Sequence, residues 1–271
     1  MGEAKRMQLT HAQIIERATG CIYCNKFSKF SIEHMPPRNM FKNVRPNGWV
    51  FACCNTCNQG SSGADALAGM MAHLEAVADD KWKVDRIKDL LRSAKKRIPG
   101  IEHEIFGTDL EDSYVLHNGL LRPIKKIRAN GPLTRKYLNI FSAKLTMAGF
   151  SHFTDRPIKQ TGLIHTEWYL NGGISEATYR HIISVMPGYA QLVQGVQQSG
   201  KQFHLRFNTN KTDIVAAMVS FNDAFFVTFI ATDNVEFLQP LRQMFGKISK
   251  SDRPTVNLTT PGLPEIEEQG L

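Results

Sequence analysis

Residues 21–60, CIYCNKFSKFSIEHMPPRNMFKNVRPNGWVFACCNTCNQG, decide the fold of this 271-residue chain, because they contain all five of its cysteines. Four of the five form two Cys-x-x-Cys pairs, Cys21 with Cys24 and Cys54 with Cys57. Thiolates spaced in this way on tight turns bind one tetrahedral Zn²⁺, and a second pair closes the site with no open position. The spacing therefore predicts a structural zinc site, and Cys53 is left over as a small buried strand residue.

The residues between and after the two pairs predict two strands and a helix. A strand is predicted at about 28–36, because FSKFSIEHM (27–35) alternates loosely in hydropathy and runs into Pro36-Pro37, where a strand has to stop. Asn47-Gly48 predicts a turn, and WVFACC after it is rich in residues that favour strands. Beyond Cys57, ADALAGMMAHLEAVA has apolar residues at three- and four-residue steps, which predicts a helix.

The order of these motifs resembles a known family. Two phrases, EHMPPRNMF and ACCNTCNQGSS, place an acidic residue and a histidine before a proline, between Cys-x-x-Cys and Cys-x-x-Cys-Asn. This pattern resembles the zinc-containing branch of the HNH endonuclease family, whose core is a ββα-metal fold. The resemblance covers about residues 21–66. It implies a metal-dependent endonuclease that hydrolyses phosphodiester bonds in DNA, with RNA as the less favoured substrate.

The resemblance also implies a role for each matching residue. His34 would be the general base that deprotonates the attacking water, a task that suits a neutral imidazole. Glu33 and Asn58 would bind a catalytic Mg²⁺ or Mn²⁺ ion, separate from the structural zinc. Asn47 would orient His34, with a simple turn role beside Gly48 as the alternative. Phosphate contacts are expected from three basic residues, Arg38, Lys42 and Arg45.

Outside this stretch the sequence predicts helices and then strands. Thr10 is predicted to cap a short helix through about Ala18, and Lys81–Arg97 is predicted to be a helix that ends at Pro99-Gly100. The basic residues of the second helix have two interpretations, a solvated helix face or a contact with DNA. A helix is predicted from about Leu133 to Ala148, with Leu138, Phe141, Leu145 and Met147 as its core residues. Later elements are a strand at 163–170, a helix from Ser175 to about Val185, strands at 202–208, 213–221 and 224–232, and a closing helix from Glu236 to Ile248.

Together these elements predict an α+β fold in four parts. Residues 1–78 form a zinc-stapled, HNH-like ββα-metal module, and residues 79–158 form a basic region of central helices. Residues 159–251 form an α+β layer with a small antiparallel sheet and no identified chemical motif. The remaining residues, 252–271, are expected to be a loose tail.

Charge and composition favour a polyanionic partner and an ordinary reducing compartment. The formal net charge is +8, which suits nucleic acid, and the resemblance favours DNA. The longest apolar stretch, 214–232, is interrupted by Asn222-Asp223, which favours two strands around a turn over a membrane span. No leader sequence is predicted at the start, so a cytoplasmic protein with reduced cysteines is expected.

A second function remains open from the sequence. The same zinc-stapled scaffold could bind nucleic acid or protein without doing chemistry, with Glu33 and His34 only hydrogen-bonding across the hairpin. A protein partner and a homodimer are both open as well, because one ββα site cuts one strand.

Overall fold

The computed structural model describes residues 9–42, 45–74, 81–107, 110–127, 129–170, 180, 193–200, 202–237 and 255–259. These residues form a mixed α+β fold. In chain order the elements are α1 His11–Glu16, β1 Phe30–His34, a 3-10 turn Arg38–Met40, β2 Val50–Cys54, α2 Asn55–Gly60, α3 Ser62–His73, α4 Lys81–Arg97, α5 Ile101–Phe106, β3 Asp112–His117, β4 Leu120–Lys125, α6 Pro132–Thr154, β5 Leu163–Leu170, β6 Val193–Ser199, β7 Phe203–Thr209, β8 Ile214–Phe221, β9 Phe225–Thr232 and β10 Thr255–Thr259.

The N-terminal part has the predicted order of strand, strand and helix. Strands β1 and β2 pair antiparallel, with Phe30 opposite Cys54 and His34 opposite Val50. The helix starts earlier than predicted, because Cys54 is the residue that caps α2, and its sulfur accepts a hydrogen bond from the N–H of Cys57. Helix α1 is confirmed, with Thr10 as the capping residue. A predicted zinc ligand and a helix cap are thus the same residue, which fixes α2 directly against the end of β2.

Helix α6 joins the zinc-site region to the C-terminal sheet. Its predicted core residues Leu138, Phe141, Leu145 and Met147 are all fully buried, and the helix packs between α3 and the strands β5 and β9. Gly149 allows this close approach, because an added Cβ there would lie 2.5 Å from the ring of Phe229. One continuous hydrophobic core therefore extends from the β1–β2 hairpin through α6 to the sheet.

The C-terminal sheet is larger than predicted. It has six antiparallel strands in the order β10-β5-β9-β8-β7-β6. The predicted strands correspond to β5, β7, β8 and β9, whereas β6 and β10 were not predicted. The sequence of β6, VQGVQQS, is polar and carries a glycine, so it lacks a strand signal. Within the stretch expected to be a loose tail, Thr255–Thr259 form β10 at the edge of the sheet and pair with β5.

The central region also differs from its prediction. Helix α4 spans the predicted residues, but β3 and β4 form a two-stranded hairpin within the stretch expected to be helical. Asn118 and Gly119 both have positive φ angles at its turn, 51° and 77°, and Asn-Gly is the dipeptide that this type of turn favours. The helices predicted from Ser175 and from Glu236 lie almost entirely outside the described residues.

A membrane-spanning helix is not found in this structure. Among the described residues, no helix combines the length and the apolar character needed to cross a bilayer.

Candidate functional site

The four predicted cysteines form a compact sulfur cluster. The sulfur atoms of Cys21, Cys24, Cys54 and Cys57 all lie within 4.8 Å of one another. The sulfurs of Cys24 and Cys54 are 3.8 Å apart, which matches the spacing of about 3.8 Å in a tetrahedral site with Zn–S bonds of about 2.3 Å. The residues present therefore fit a Zn²⁺ ion. With all four thiolates bound, such an ion has no coordination position left for a substrate or water.

Hydrogen bonds between the cysteines shift the pKa values of the thiols in this cluster. A hydrogen bond from Cys53 lowers the pKa of Cys21 below its ordinary value, and the bond with Cys21 raises the pKa of Cys57. Cys53 is fully buried, as expected for a strand residue, with its sulfur 3.8 Å from that of Cys21. Asn25 closes the first knuckle in the left-handed region, at φ 57°, and its side-chain amide donates to the carbonyl oxygen of Ile158. The zinc knuckle is thereby attached to the segment that precedes β5.

His34 lies at the end of β1 between two arginines. The guanidinium Nη2 of Arg38 is 2.7 Å from Nε2 of His34, and Nη1 of Arg45 is 2.7 Å from Nδ1. The ring of His11, from the start of α1, stands edge-on to the His34 ring with 5.8 Å between centroids. Two of the three residues predicted to contact phosphate are thus brought to the predicted base. His11 was not among the predicted site residues.

This cluster keeps His34 uncharged at neutral pH. Burial is the largest cause that lowers the pKa of His34, and Arg45, Arg38 and His11 act in the same direction; together they bring it to about 4. A neutral imidazole has one N–H and one nitrogen lone pair. Only one of the two arginines can therefore donate to the ring at a time. The exposed Arg38 is the one that an incoming anion can draw away.

Arg45 is held in place from the side opposite His34. Its Nη2 donates to the backbone oxygen of Trp49 at 2.6 Å. Trp49 is fully buried and stacks on His152 of α6, with 4.5 Å between ring centroids. The side chain of Gln197 on β6 contacts both of these rings, through Trp49 Nε1 and His152 Nε2. The position of Arg45 thus depends on both α6 and the C-terminal sheet.

Glu33 points away from His34, because neighbouring residues of a strand face opposite sides. It is 3% exposed, and its Oε1 lies 3.3 Å from Nζ of Lys144. Lys144 also contacts both carboxylate oxygens of Asp65, at 2.8 and 2.7 Å, and lies over the ring of Tyr23. The pKa of Glu33 is raised to about 7, and burial is the largest cause. Asp65 adds to this rise, whereas Lys144 opposes it. The predicted metal ligand is therefore part of a buried ion-pair cluster.

The remaining predicted residues lie in separate places. Asn58 ties α2 to β1, because its side-chain amide donates to the hydroxyl of Ser31 at 3.0 Å and to the backbone oxygen of Ile32 at 3.5 Å. Asn47, which was predicted to orient His34, is exposed in the turn before β2. The atoms that contact the ring nitrogens of His34 belong to Arg38 and Arg45. Lys42 lies over the ring of Trp82 on α4, at 5.0 Å.

Three of the eight basic residues of α4 pair with acidic residues. Lys88 pairs with Asp85 at 3.9 Å and Arg92 pairs with Asp89 at 2.9 Å, all on the exposed surface. Lys95 contacts Glu102 of α5 at 2.5 Å. For these three residues the pairs favour the interpretation of a solvated helix face over that of a dedicated DNA contact.

Comparison of the chain with protein-family models, with curated proteins and with solved structures finds no match.

Proposed function

We propose that this protein is an endonuclease of the HNH type that hydrolyses phosphodiester bonds in nucleic acid, most favourably DNA, with His34 as the general base. One observation carries the proposal. A neutral imidazole lies between Arg38 and Arg45 at the end of a strand that the four-cysteine cluster holds in place. The resemblance of residues 21–66 to the HNH endonuclease family supports the same assignment.

The chemistry begins with the binding of a phosphate. A phosphate group competes with His34 for the guanidinium of Arg38, because arginine binds phosphate oxygens in a bidentate manner. In the tautomer that carries its proton on Nδ1, His34 accepts a hydrogen bond from Arg38 at Nε2. Once Arg38 has moved to the phosphate, the lone pair of Nε2 is free to accept a proton from water. The negative phosphate also raises the pKa of His34 from about 4 towards working pH, which makes the ring a more effective base.

His34 then takes a proton from a water molecule as that water attacks phosphorus and the bond to the 3′ oxygen breaks. The departing 3′ oxygen takes a proton from solvent, so the products are a 5′ phosphate and a free 3′ hydroxyl. The positive charges of Arg38 and Arg45 stabilise the charge that builds up on the phosphate oxygens. Arg45 remains charged at neutral pH, although burial lowers its pKa to about 10. A zinc ion in the four-cysteine cluster would contribute folding free energy and keep β1 and α2 in position.

The predicted Mg²⁺ or Mn²⁺ ion does not fit the residues as they are placed. Its carboxylate ligand would be Glu33, which is buried beside Lys144, and its amide ligand would be Asn58, whose amide group bonds to β1. A positive ion beside Lys144 would also meet like charge. His34, Arg38 and Arg45 accordingly carry the steps of the hydrolysis.

A second candidate function is cleavage of RNA without a metal ion, and His11 favours it. Its ring lies beside His34, so two imidazoles and two arginines share one surface. His34 would take the proton of the 2′ hydroxyl as that oxygen attacks phosphorus. His11 would give a proton to the departing 5′ oxygen, and the products would be a 2′,3′-cyclic phosphate and a free 5′ hydroxyl.

A cleavage assay separates these functions. Supercoiled plasmid and a labelled RNA oligonucleotide are incubated with zinc-loaded protein, each with Mg²⁺, with Mn²⁺ and with a weak chelator that spares the zinc. Loss of a general base lowers the rate by about 10²–10⁴-fold, so His34→Ala should be nearly inactive. His103→Ala, an exposed histidine on α5, is the matched control. Cutting of RNA but not of its 2′-deoxy analogue selects the second function, and salt-sensitive binding without cutting selects the non-catalytic alternative.

A further inference from the structure

Two side chains from distant parts of the sequence hold the backbone to which Arg45 is attached. His152 belongs to α6 and Gln197 belongs to β6, and we call these two residues the anchor pair. Nδ1 of His152 is 3.3 Å from the backbone oxygen of Gly48, and the His152 ring stacks on that of Trp49. Nε2 of His152 is 3.4 Å from Nε2 of Gln197, whose Oε1 is 3.5 Å from Nε1 of Trp49. The anchor pair therefore contacts two successive residues of the loop before β2.

The donors and acceptors around the anchor pair agree with one tautomer of His152. A carbonyl oxygen can only accept, so Nδ1 of His152 carries the proton and donates to Gly48. The lone pair of Nε2 then accepts from the side-chain amide of Gln197. The oxygen of the same amide accepts from the indole N–H of Trp49. One neutral imidazole and one amide thus fix both the backbone before Trp49 and the Trp49 side chain.

The hold on this backbone lies one residue away from the anchor of Arg45. Gly48 has a φ angle of 78°, in the left-handed region, and a Cβ added to it would lie 3.4 Å from Cε1 of His152. His152 contacts the carbonyl of Gly48, and the next carbonyl along the chain, that of Trp49, accepts from Nη2 of Arg45 at 2.6 Å. The residue that links the two contacts, Trp49, is fully buried. The direction of the Trp49 carbonyl is therefore set by the anchor pair.

Two further hydrogen bonds place the same loop against the end of the C-terminal sheet. Gln202, just before β7, accepts from the backbone N–H of Lys42 at 3.1 Å. Asn222, just after β8, donates to the backbone oxygen of Met40 at 3.3 Å. The loop between β1 and β2, which carries both arginines of the site, is thus held by the sheet at several points.

We propose that His152 and Gln197 are positioning residues for Arg45, through which the C-terminal sheet completes the site at His34. Nη1 of Arg45 lies 2.7 Å from Nδ1 of His34, so the guanidinium faces the ring from one fixed direction. Without the anchor pair the Trp49 carbonyl can turn, and the guanidinium that it holds moves away from the ring. The importance of this position for catalysis rests on the proposed function, whereas the position itself can be measured without a substrate.

The position of Arg45 affects both the base and the phosphate. After burial, the charge of Arg45 is the largest cause that lowers the pKa of His34. In the proposed hydrolysis the same charge stabilises the phosphate oxygens. A displacement of about 1 Å in such a group costs up to about 10²-fold in rate. Loss of either anchor residue should therefore lower kcat by about 10–100-fold with little change in KM, because the exposed Arg38 still binds the phosphate.

An NMR titration of His34 in the full, zinc-loaded chain tests the positioning role. His152→Phe keeps an aromatic ring in place and removes both ring nitrogens, and Gln197→Leu removes the amide. Each variant should raise the pKa of His34 from about 4 towards 6.5, in the same direction as Arg45→Met but by less. Gln198→Leu changes the exposed neighbour on β6 and is the matched control, which should leave the pKa unchanged.

An unchanged pKa of His34 in folded His152→Phe and Gln197→Leu would overturn the positioning role. A variant that is only less stable keeps Arg45 in place and does not change this pKa, so loss of stability alone cannot imitate the expected result. Circular dichroism establishes that each variant is folded, and if His152→Phe does not fold, Gln197→Leu decides. A raised pKa in the variants together with a wild type that cuts no substrate would support the positioning role and refute the endonuclease proposal, so the two failures are distinguishable.

Discussion

Replacing Lys144 with methionine should lower the free energy of unfolding by about 3–5 kcal/mol. The side chain of Lys144 is completely buried in the middle of α6. Its ammonium group contacts Asp65 at 2.7 and 2.8 Å and Glu33 at 3.3 Å. Methionine has a similar length and packs well in a core, so the substitution removes the charge with little change in volume.

The magnitude follows from these distances. At an effective dielectric constant of about 20, unit charges at about 2.7 and 3.3 Å attract each other by roughly 6 and 5 kcal/mol. Most of this attraction offsets the loss of water around the three charged groups, which costs several kcal/mol for each ion. Without Lys144 the carboxylates of Asp65 and Glu33 stay buried together. Glu33 limits the loss by binding a proton, because its pKa is already raised to about 7.

The assay is equilibrium unfolding in urea at pH 7.5, followed by tryptophan fluorescence and circular dichroism on zinc-loaded protein. Lys88→Met is the matched control, because the Lys88 side chain is 67% exposed, and its effect should stay within about 0.5 kcal/mol. The triple variant Glu33→Gln/Asp65→Asn/Lys144→Met should recover most of the lost stability, because no unpaired charge remains. A Lys144→Met protein within 1 kcal/mol of the wild type would refute this account of the buried cluster.

Three further outcomes are expected. Elemental analysis should find about one zinc per chain, and Cys21→Ser should lose the metal and melt at a lower temperature; a variant as stable as the wild type would contradict the zinc site. In an NMR titration the His34 ring should have a pKa of about 4, and Arg45→Met should raise it towards 6.5; an unchanged pKa would show that Arg45 does not act on the ring. Because the folded pKa of Glu33, about 7, lies above its unfolded value, its contribution to stability falls as pH rises from about 4.5 to 7. Glu33→Gln should therefore gain stability relative to the wild type over that range, by about 1–3 kcal/mol in urea unfolding, and a constant difference would be the contrary result.

The frame of the site was predictable from local sequence signals. The spacing of Cys21, Cys24, Cys54 and Cys57 depends only on how thiolates share a metal, and the structure brings these four sulfurs together. The strands β1 and β2 followed from a diproline stop and an Asn-Gly turn. The core of α6 followed from the spacing of its apolar residues. Each of these signals acts within a few residues along the chain, which is why single-sequence reasoning could find it.

The surroundings of the site depend on contacts between distant parts of the chain. Glu33 was expected to face a divalent cation, but its actual neighbour is Lys144, more than a hundred positions later. A single lysine within the apolar sequence FSAKLTMAGF was the available sign that a buried anion lay nearby. No sequence signal placed His11 beside His34. Helix α1 is short, and the spacing of its apolar residues does not show which part of the chain it packs against.

The hairpin and the edge strands were missed for a different reason. The sequence of β3 and β4 contains Asn118-Gly119 between alternating apolar residues, which is a strong hairpin signal. The prediction of one helical region over 79–158 did not use it. The strands β6 and β10 are specified by pairing with β7 and β5 rather than by their own composition.

The most direct test of the central claim is the rate at which zinc-loaded wild type, His34→Ala and His103→Ala cut supercoiled plasmid and RNA under identical conditions. The account predicts cutting by the wild type and by His103→Ala at equal rates. It also predicts a loss of about 10²–10⁴-fold for His34→Ala, with its zinc content and melting temperature unchanged. Equal cutting by all three proteins would contradict the assignment of His34 as the base.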